Sequence, residues 1–289
     1  FYSSQGCPYR CAFCVDPYVY SRRWSGLKGS RMVFDVFDAV RKYQVEDVQF
    51  LDENFFANRN RVLEFCKGVK DHGMRFRWSA TSRADQIAPL DDDLLGEIAQ
   101  ANLRQVIIGA ESGSQEMLDF MKKDTLAEEA IVSAQKLARH GIDAVFGFIV
   151  GFPEEGFENT LKTLACIKEI KRINPDFQFN IFFFTPYPGT ELFNYIVGKG
   201  YRVPQSLDEW SDIDFITYAG YWIKDEERRY VERFKFYTRL GTDRRYSTTL
   251  TRPLQRLAAH RVKRDFYGFP IEKEIVNFVR YKLLRHVNW

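Results

Sequence analysis

From Phe1 to Phe184 the sequence alternates between short apolar runs and stretches of helical periodicity, and this rhythm restricts the architecture severely. A first strand runs into Gly6. Further strands are expected at Val48–Asp52, Arg75–Ala80, Val106–Gly109, Ala144–Val150 and Phe179–Phe184. Helices are expected at Val33–Tyr43, Arg61–His72, Asp92–Ala101 and Asn159–Arg172. Another follows Thr125, where Thr125 and Glu128 form a capping box ahead of Leu126, Ala130, Ala134, Leu137 and Ala138, with Gly141 as the stop. Strands apolar along their whole length need cover on both faces, and intervening helices supply it, so the pattern predicts an α/β fold with a parallel sheet. Six such units fit a partial (β/α)6 TIM-like barrel over residues 1–203. Beyond that the apolar rhythm stops. The mixed charged and aromatic stretches 225–239 and 252–267, with an amphipathic segment at Glu272–Leu284, predict a helical C-terminal extension over 204–289.

In barrels of this kind chemistry gathers at the C-terminal ends of the strands. Polar motifs fall there after all six. Cys7–Cys14 follow the first strand, Asp52-Glu53-Asn54 the second, and Ser79, Thr81 and Arg83 the third. Glu111-Ser112 follow the fourth, Gly151-Phe152-Pro153-Glu154 the fifth, and Pro186-Tyr187-Pro188-Gly189 the sixth.

The sharpest of these motifs is Gly6-Cys7-Pro8-Tyr9-Arg10-Cys11-Ala12-Phe13-Cys14. It holds three of the five cysteines; Cys66 and Cys166 stand alone and read as buried small hydrophobes. So lopsided a set is no disulfide framework, and it suits a metal site in a reducing, cytoplasmic setting. Thiolates are the normal ligands of iron–sulfur clusters, and three of them leave one iron of a cubane open for chemistry. Zinc is the competing reading, although the nearest histidine to Cys14 is His72.

With an aromatic before the last cysteine, this Cx3CxxC loop resembles the radical S-adenosylmethionine (SAM) superfamily. The resemblance implies a [4Fe–4S] cluster on Cys7, Cys11 and Cys14. Its open iron takes the amino and carboxylate groups of SAM, and an electron then cleaves the sulfonium to give a 5′-deoxyadenosyl radical. By the same resemblance, the backbone of Phe13 contacts the adenine. Asp52, Glu53 and Asn54 stand where the family binds the methionyl amino group. Ser79 and Arg83 stand where it meets the carboxylate or ribose, and Glu111 and Ser112 lie near the ribose and sulfonium. The stretch Gly147-Phe148-Ile149-Val150-Gly151-Phe152-Pro153-Glu154 matches a GxIxGxxE pattern in which Gly147, Val150 and Gly151 bring strand backbone against the adenine.

Two further segments, Gly109–Ser114 and Pro186–Leu192, resemble the cobalamin-binding branch of the superfamily, as does Phe50–Phe55. That branch includes methylases of unreactive carbon or phosphorus and the anaerobic magnesium-protoporphyrin ester cyclase. Its cobalamin module precedes the barrel. Since the sequence opens on Phe1, almost at the cysteines, such a module is expected upstream in the natural protein. The expected partners are a small-molecule substrate and an electron donor such as flavodoxin or ferredoxin. A net charge of +3 offers no electrostatic case for nucleic acid, which weighs against the alternative of tRNA methylthiolation. No apolar run reaches the roughly 20 residues of a membrane span. A simple iron–sulfur electron carrier is the other alternative, but it has no need of polar motifs at six strand ends.

Overall fold

The chain opens with a short strand, β1 (Ser4–Gly6), followed by helix α1 (Asp16–Val19) and strand β2 (Trp24–Gly26). Helix α2 (Gly29–Tyr43), strand β3 (Asp47–Gln49) and helix α3 (Arg59–Asp71) come next. Strand β4 (Arg77–Arg83), helices α4 (Ala84–Ile87) and α5 (Asp92–Gln100), and strand β5 (Leu103–Glu111) follow. After them run α6 (Gln115–Phe120), α7 (Glu129–Arg139), β6 (Asp143–Val150), α8 (Phe157–Ile173), β7 (Gln178–Phe183), α9 (Glu191–Gly198) and α10 (Leu207–Ser211). The computed structural model describes residues 1–213, 220–242 and 251–274. These belong to two units, Phe1–Trp222 and Ile223–Trp289.

In the first unit β3 to β7 form one five-stranded sheet in chain order, every neighbouring pair parallel. This is the expected partial barrel with one strand fewer in its sheet. The first expected strand pairs antiparallel with β2 instead. Its backbone meets the end of β3 where the Phe1 amino group donates to the Gln49 carbonyl and the Leu51 amide donates to the Phe1 carbonyl, each at 2.9 Å. Gly6 lets β2 approach closely: its φ of 85° is open to glycine, and a Cβ there would lie 2.3 Å from the Arg23 carbonyl oxygen.

The helices cover one face of the sheet. Val106, Ile108 and Ala110 of β5 and Phe146 and Phe148 of β6 are buried, while Ile107, Gly109, Val145, Gly147 and Ile149 between them are only partly covered. Under the N-terminal strands an aromatic cluster of Phe50, Phe55, Phe65 and Trp78 excludes all solvent. Its rings meet edge to face or tilted, Phe50 lying 4.6 Å from Phe55 and 5.8 Å from Trp78.

Two local expectations change. Helix α7 begins at Glu129 and takes no cap from Thr125 or Glu128; it is the Glu129 carboxylate that accepts from the Leu126 amide at 2.8 Å. β4 starts two residues later than expected and runs on to Arg83, so Ser79 lies inside the strand rather than at its end.

Gly113 is a packing requirement. A Cβ on it would lie 2.6 Å from the Lys162 carbonyl oxygen and 2.7 Å from the Cys166 Cβ. Gly113→Ala is therefore expected to destabilise the first unit by about 1–3 kcal/mol. Thermal unfolding reads this as a drop of several degrees; an unchanged midpoint would show that α8 yields freely.

The second unit contains helices α11 (Asp225–Thr242) and α12 (Arg252–Lys263). Arg261 organises it, donating to both Glu272 carboxylate oxygens and to the carbonyls of Phe266, Gly268 and Phe269. The expected segment Glu272–Leu284 lies, beyond Glu274, outside the described residues. Among the described residues no helix is long and apolar enough to cross a membrane.

Candidate active site at the strand ends

The cysteine loop is held through its main chain. The Ala12 amide donates to the Met121 carbonyl at 2.8 Å, and the Ala12 carbonyl accepts from the Leu192 amide at 3.0 Å. Met121 caps α6 after β5 and Leu192 lies in the first turn of α9 after β7, so one residue ties the loop to two helices. Arg10 adds a paired contact to Asp124, both bonds 2.8 Å. The Cys14 amide donates to the Cys11 carbonyl, which turns the loop tightly between the last two cysteines. Phe13 packs edge-on against Phe152, their centroids 6.4 Å apart.

Cys11 is buried, and Cys7 and Cys14 are half-buried. Burial pushes the Cys11 thiol up, opposed by the nearby charges of Lys123 and Arg83. Burial pushes Cys14 up to about 12, opposed by the Asp16 amide. Each of these thiols thus carries a desolvation penalty as a thiolate, which a metal would relieve. A polar atom stands beside each sulfur: Asn54 Nδ2 at 4.0 Å from Cys7, Arg83 Nη1 at 3.5 Å from Cys11, and the Asp16 amide at Cys14. Asn54 is buried and its Oδ1 has no partner. Among the described residues no three His, Cys, Asp or Glu side chains gather as ligands of a single ion. A cubane asks for a different arrangement, since each thiolate takes its own iron and the sulfurs surround a cage rather than a point. This donor set, three thiols on one tethered loop with N–H groups behind them, fits such a cluster.

The remaining expected residues separate into two groups. Asp52 is fully used inside the protein. Its Oδ1 accepts from the Ser3 amide at 2.7 Å, and its Oδ2 from the Ser3 and Ser4 hydroxyls at 2.6 and 2.5 Å. Buried Arg61 lies 3.4 Å from the same oxygen. Asp52 therefore holds the strand that delivers the cysteines, with Ser3, Ser4 and Arg61 as its partners. Ser112 is likewise committed: it is buried, pairs with Thr163 Oγ1 at 3.0 Å and accepts from the Ser114 amide. Val150 is buried as well. Arg83 has its Nε–Nη2 edge on the Asp85 carboxylate and Nη2 also on the Lys123 carbonyl.

Glu53 is exposed and Glu111, Gly147 and Gly151 are partly covered, while Asn54 is buried beside Cys7. Glu53 accepts from the Gly6 amide at 3.1 Å and from the Tyr20 hydroxyl at 3.2 Å. Glu111 sits in the left-handed region (φ 62°) at a break in the β5–β6 register, and its carboxylate takes the Lys123 ammonium at 2.7 Å. Such a backbone position is rare for a residue with a side chain and clusters at functional sites. Gly109 makes the pair possible, because a Cβ there would lie 2.5 Å from Glu111 Oε1. Gly109 and Gly147 are register partners on the partly covered face. A Cβ on Gly147 would meet nothing closer than the Ile108 carbonyl oxygen at 3.7 Å. The backbone at Gly147 is open, while the Glu111–Lys123 pair lies over Gly109.

Sequence reasoning missed Lys123 and Glu155. Lys123 is buried between Lys122 and Asp124, both with positive φ, in a loop whose composition carries no warning. The GxIxGxxE reading ended on Glu154, yet Glu154 is exposed and bonds to Tyr195 and Lys199. The next residue, Glu155, accepts from the amides of Gly151 and Phe152 at 2.5 and 3.0 Å and fixes the turn. Trp222 Nε1 holds the Gly151 carbonyl from the other side at 2.8 Å. Tyr187 is exposed.

Relatives carry similar chains. An uncharacterized methyltransferase of Pyrococcus horikoshii is 26% identical over 240 residues, covering 82% of this chain and 50% of its own. The anaerobic magnesium-protoporphyrin IX monomethyl ester cyclase of Rubrivivax gelatinosus is 28% identical over 196 residues, 68% of this chain and 34% of its own. The chain thus spans a third to a half of the length of these two relatives. Among solved structures, the cobalamin-dependent SAM radical enzyme OxsB superposes over 99% of this chain and 50% of its own, with a TM-score of 0.66 at 16% identity. The radical SAM methyltransferase TsrM of Kitasatospora setae covers 71% of this chain and 40% of its own, at 0.59 and 19%. The pattern of the radical SAM superfamily matches residues 1–167, from the strand before the cysteines to the middle of α8. That match takes in more than half of the chain, and the protein is an enzyme of the radical SAM superfamily.

Proposed function

We propose that Cys7, Cys11 and Cys14 hold a [4Fe–4S] cluster at which SAM is cleaved reductively, and that the whole protein uses the resulting radical for cobalamin-dependent methylation, or a related modification, of a small organic substrate. The observation that supports the first part best is the tethered cysteine loop, which has an N–H group beside each sulfur and brings Cys11 near Lys123 and Glu111. When bound, the cluster supplies one electron to the sulfonium and an open iron to the methionyl group.

The chain's own residues do the positioning. Glu53 and Asn54 receive the methionyl amino group, with the unpartnered Asn54 Oδ1 as a ready acceptor. The open backbone at Gly147 takes the flat adenine ring, and the Phe13 backbone closes over its edge. Glu111, whose charge is balanced by Lys123, meets the ribose hydroxyls. The electron comes from a low-potential protein such as a flavodoxin or ferredoxin. Cobalamin use is supported by the names of similar proteins, and the corrin would be carried by a module outside this chain.

The test uses Gly147→Val. Its Cβ has room in the fold, so the variant is expected to melt like wild type. With dithionite and SAM, anaerobically reconstituted wild type should release 5′-deoxyadenosine, and the variant should bind SAM at least tenfold more weakly, a loss of about 1.4 kcal/mol. Unchanged affinity would remove Gly147 from the site. A form of the protein that carries a cobalamin module should also take up hydroxocobalamin; failure to do so would favour a cobalamin-independent reaction.

A further inference from the structure

Arg83 is buried, and its donors are distributed unevenly. The Nε–Nη2 edge is taken by Asp85 at 2.9 and 3.1 Å, and Nη2 also serves the Lys123 carbonyl. Nη1 alone points elsewhere, to the Cys11 sulfur at 3.5 Å. The guanidinium lies flat on the Tyr9 ring, 3.6 Å from its centroid, and Tyr9 belongs to the cysteine loop. Gripping a carboxylate in paired fashion needs two neighbouring donors, and the fork that would do so is already used by Asp85. The second cation near Cys11, Lys123, is matched by Glu111.

We propose that Arg83 is a positioning residue that sets the reduction potential of the cluster through its Nη1–H on the Cys11 sulfur. This rests on the reading that the three cysteines hold a cluster. On reduction one electron enters from an external donor, and the cluster and its thiolates become one unit more negative, with no bond made or broken. An N–H group donating to a ligand sulfur stabilises that added charge, so it moves the potential to less negative values. Asp85 works against it, by drawing on the same guanidinium and adding a negative charge nearby. Tyr9 and the Lys123 carbonyl keep the group in place, so the donor is present before the electron arrives.

The opposing roles of Arg83 and Asp85 give a test that loosening of the loop cannot imitate. Wild type, Arg83→Gln, Arg83→Lys and Asp85→Asn are reconstituted anaerobically, assayed for iron and visible absorption, and titrated with dithionite under EPR. Arg83→Gln should make the one-electron equilibrium at least tenfold less favourable, which is about 59 mV more negative. Arg83→Lys, which keeps the charge, should fall between it and wild type. Asp85→Asn should move the potential the other way. Equal potentials in all four proteins, or a shift of the same sign in Arg83→Gln and Asp85→Asn, would overturn the assignment. If Arg83→Gln does not fold, the Lys and Asn variants decide by the same signs. A wild type that takes up no iron would overturn the cysteine assignment itself, and the iron assay shows this before any titration begins.

Discussion

Replacing Cys7, Cys11 and Cys14 together by alanine is expected to abolish iron binding, the broad visible absorption and all release of 5′-deoxyadenosine, while the protein still folds. The loop is built to survive the change. Its anchors are the Ala12 amide and carbonyl and the Arg10–Asp124 pair, and none of them involves a sulfur. Cys66→Ala and Cys166→Ala serve as controls. Cys66 is buried on α3, and burial pushes its thiol up to about 12, so it is a poor ligand and a good hydrophobe. Cys166 is on α8, with its thiol likewise pushed up to about 12 by burial. Both variants should keep full iron content. The measurement is iron and sulfide per chain after anaerobic reconstitution, and retention of iron by the triple variant would sink the assignment.

The largest loss of stability is expected from Asp52→Ala. This carboxylate is reached by donors from Ser3 and Ser4 and by Arg61, all buried. Removing it strands a guanidinium whose pKa is already pulled below its usual value by burial, with Asp52 as the opposing charge. Breaking one partner of a buried pair costs about 3–5 kcal/mol, which at 2–4 °C per kcal/mol is a fall of about 10 °C in the unfolding midpoint. The double variant Asp52→Ala, Arg61→Met should lose less than Asp52→Ala alone, since no unpaired charge is left behind. A single variant that melts within a degree or two of wild type would show that Arg61 finds water or another acceptor.

Strand–helix alternation is legible wherever apolar runs are long, and β4 to β7 are recovered because each carries its own pattern. The first strand was misplaced in the sheet because pairing depends on backbone geometry at Gly6 and on β2, where Trp24-Ser25-Gly26 has no apolar run to announce it. Exposed carboxylates and fold-holding residues share the strand ends, and sequence spacing cannot separate them. Asp52 and Glu53 are neighbours, yet the first is consumed by Ser3, Ser4 and Arg61 while the second stays exposed. Glu154 and Glu155 differ in the same way, and only the turn at Gly151 decides which of them caps the amides. Lys123 was invisible for another reason: its importance comes from a partner twelve residues away in the chain, across the loop that follows β5.

The anchoring of Ala12 bears on the life of the protein before any iron arrives. In small zinc modules the metal provides the free energy of folding, and the chain without it is unfolded. Here the loop is shaped by backbone hydrogen bonds to two distant segments. If the three cysteines hold the proposed cluster, its insertion would be a late step on a loop already held by backbone hydrogen bonds, and apoprotein is expected to resist proteolysis as well as the reconstituted form does.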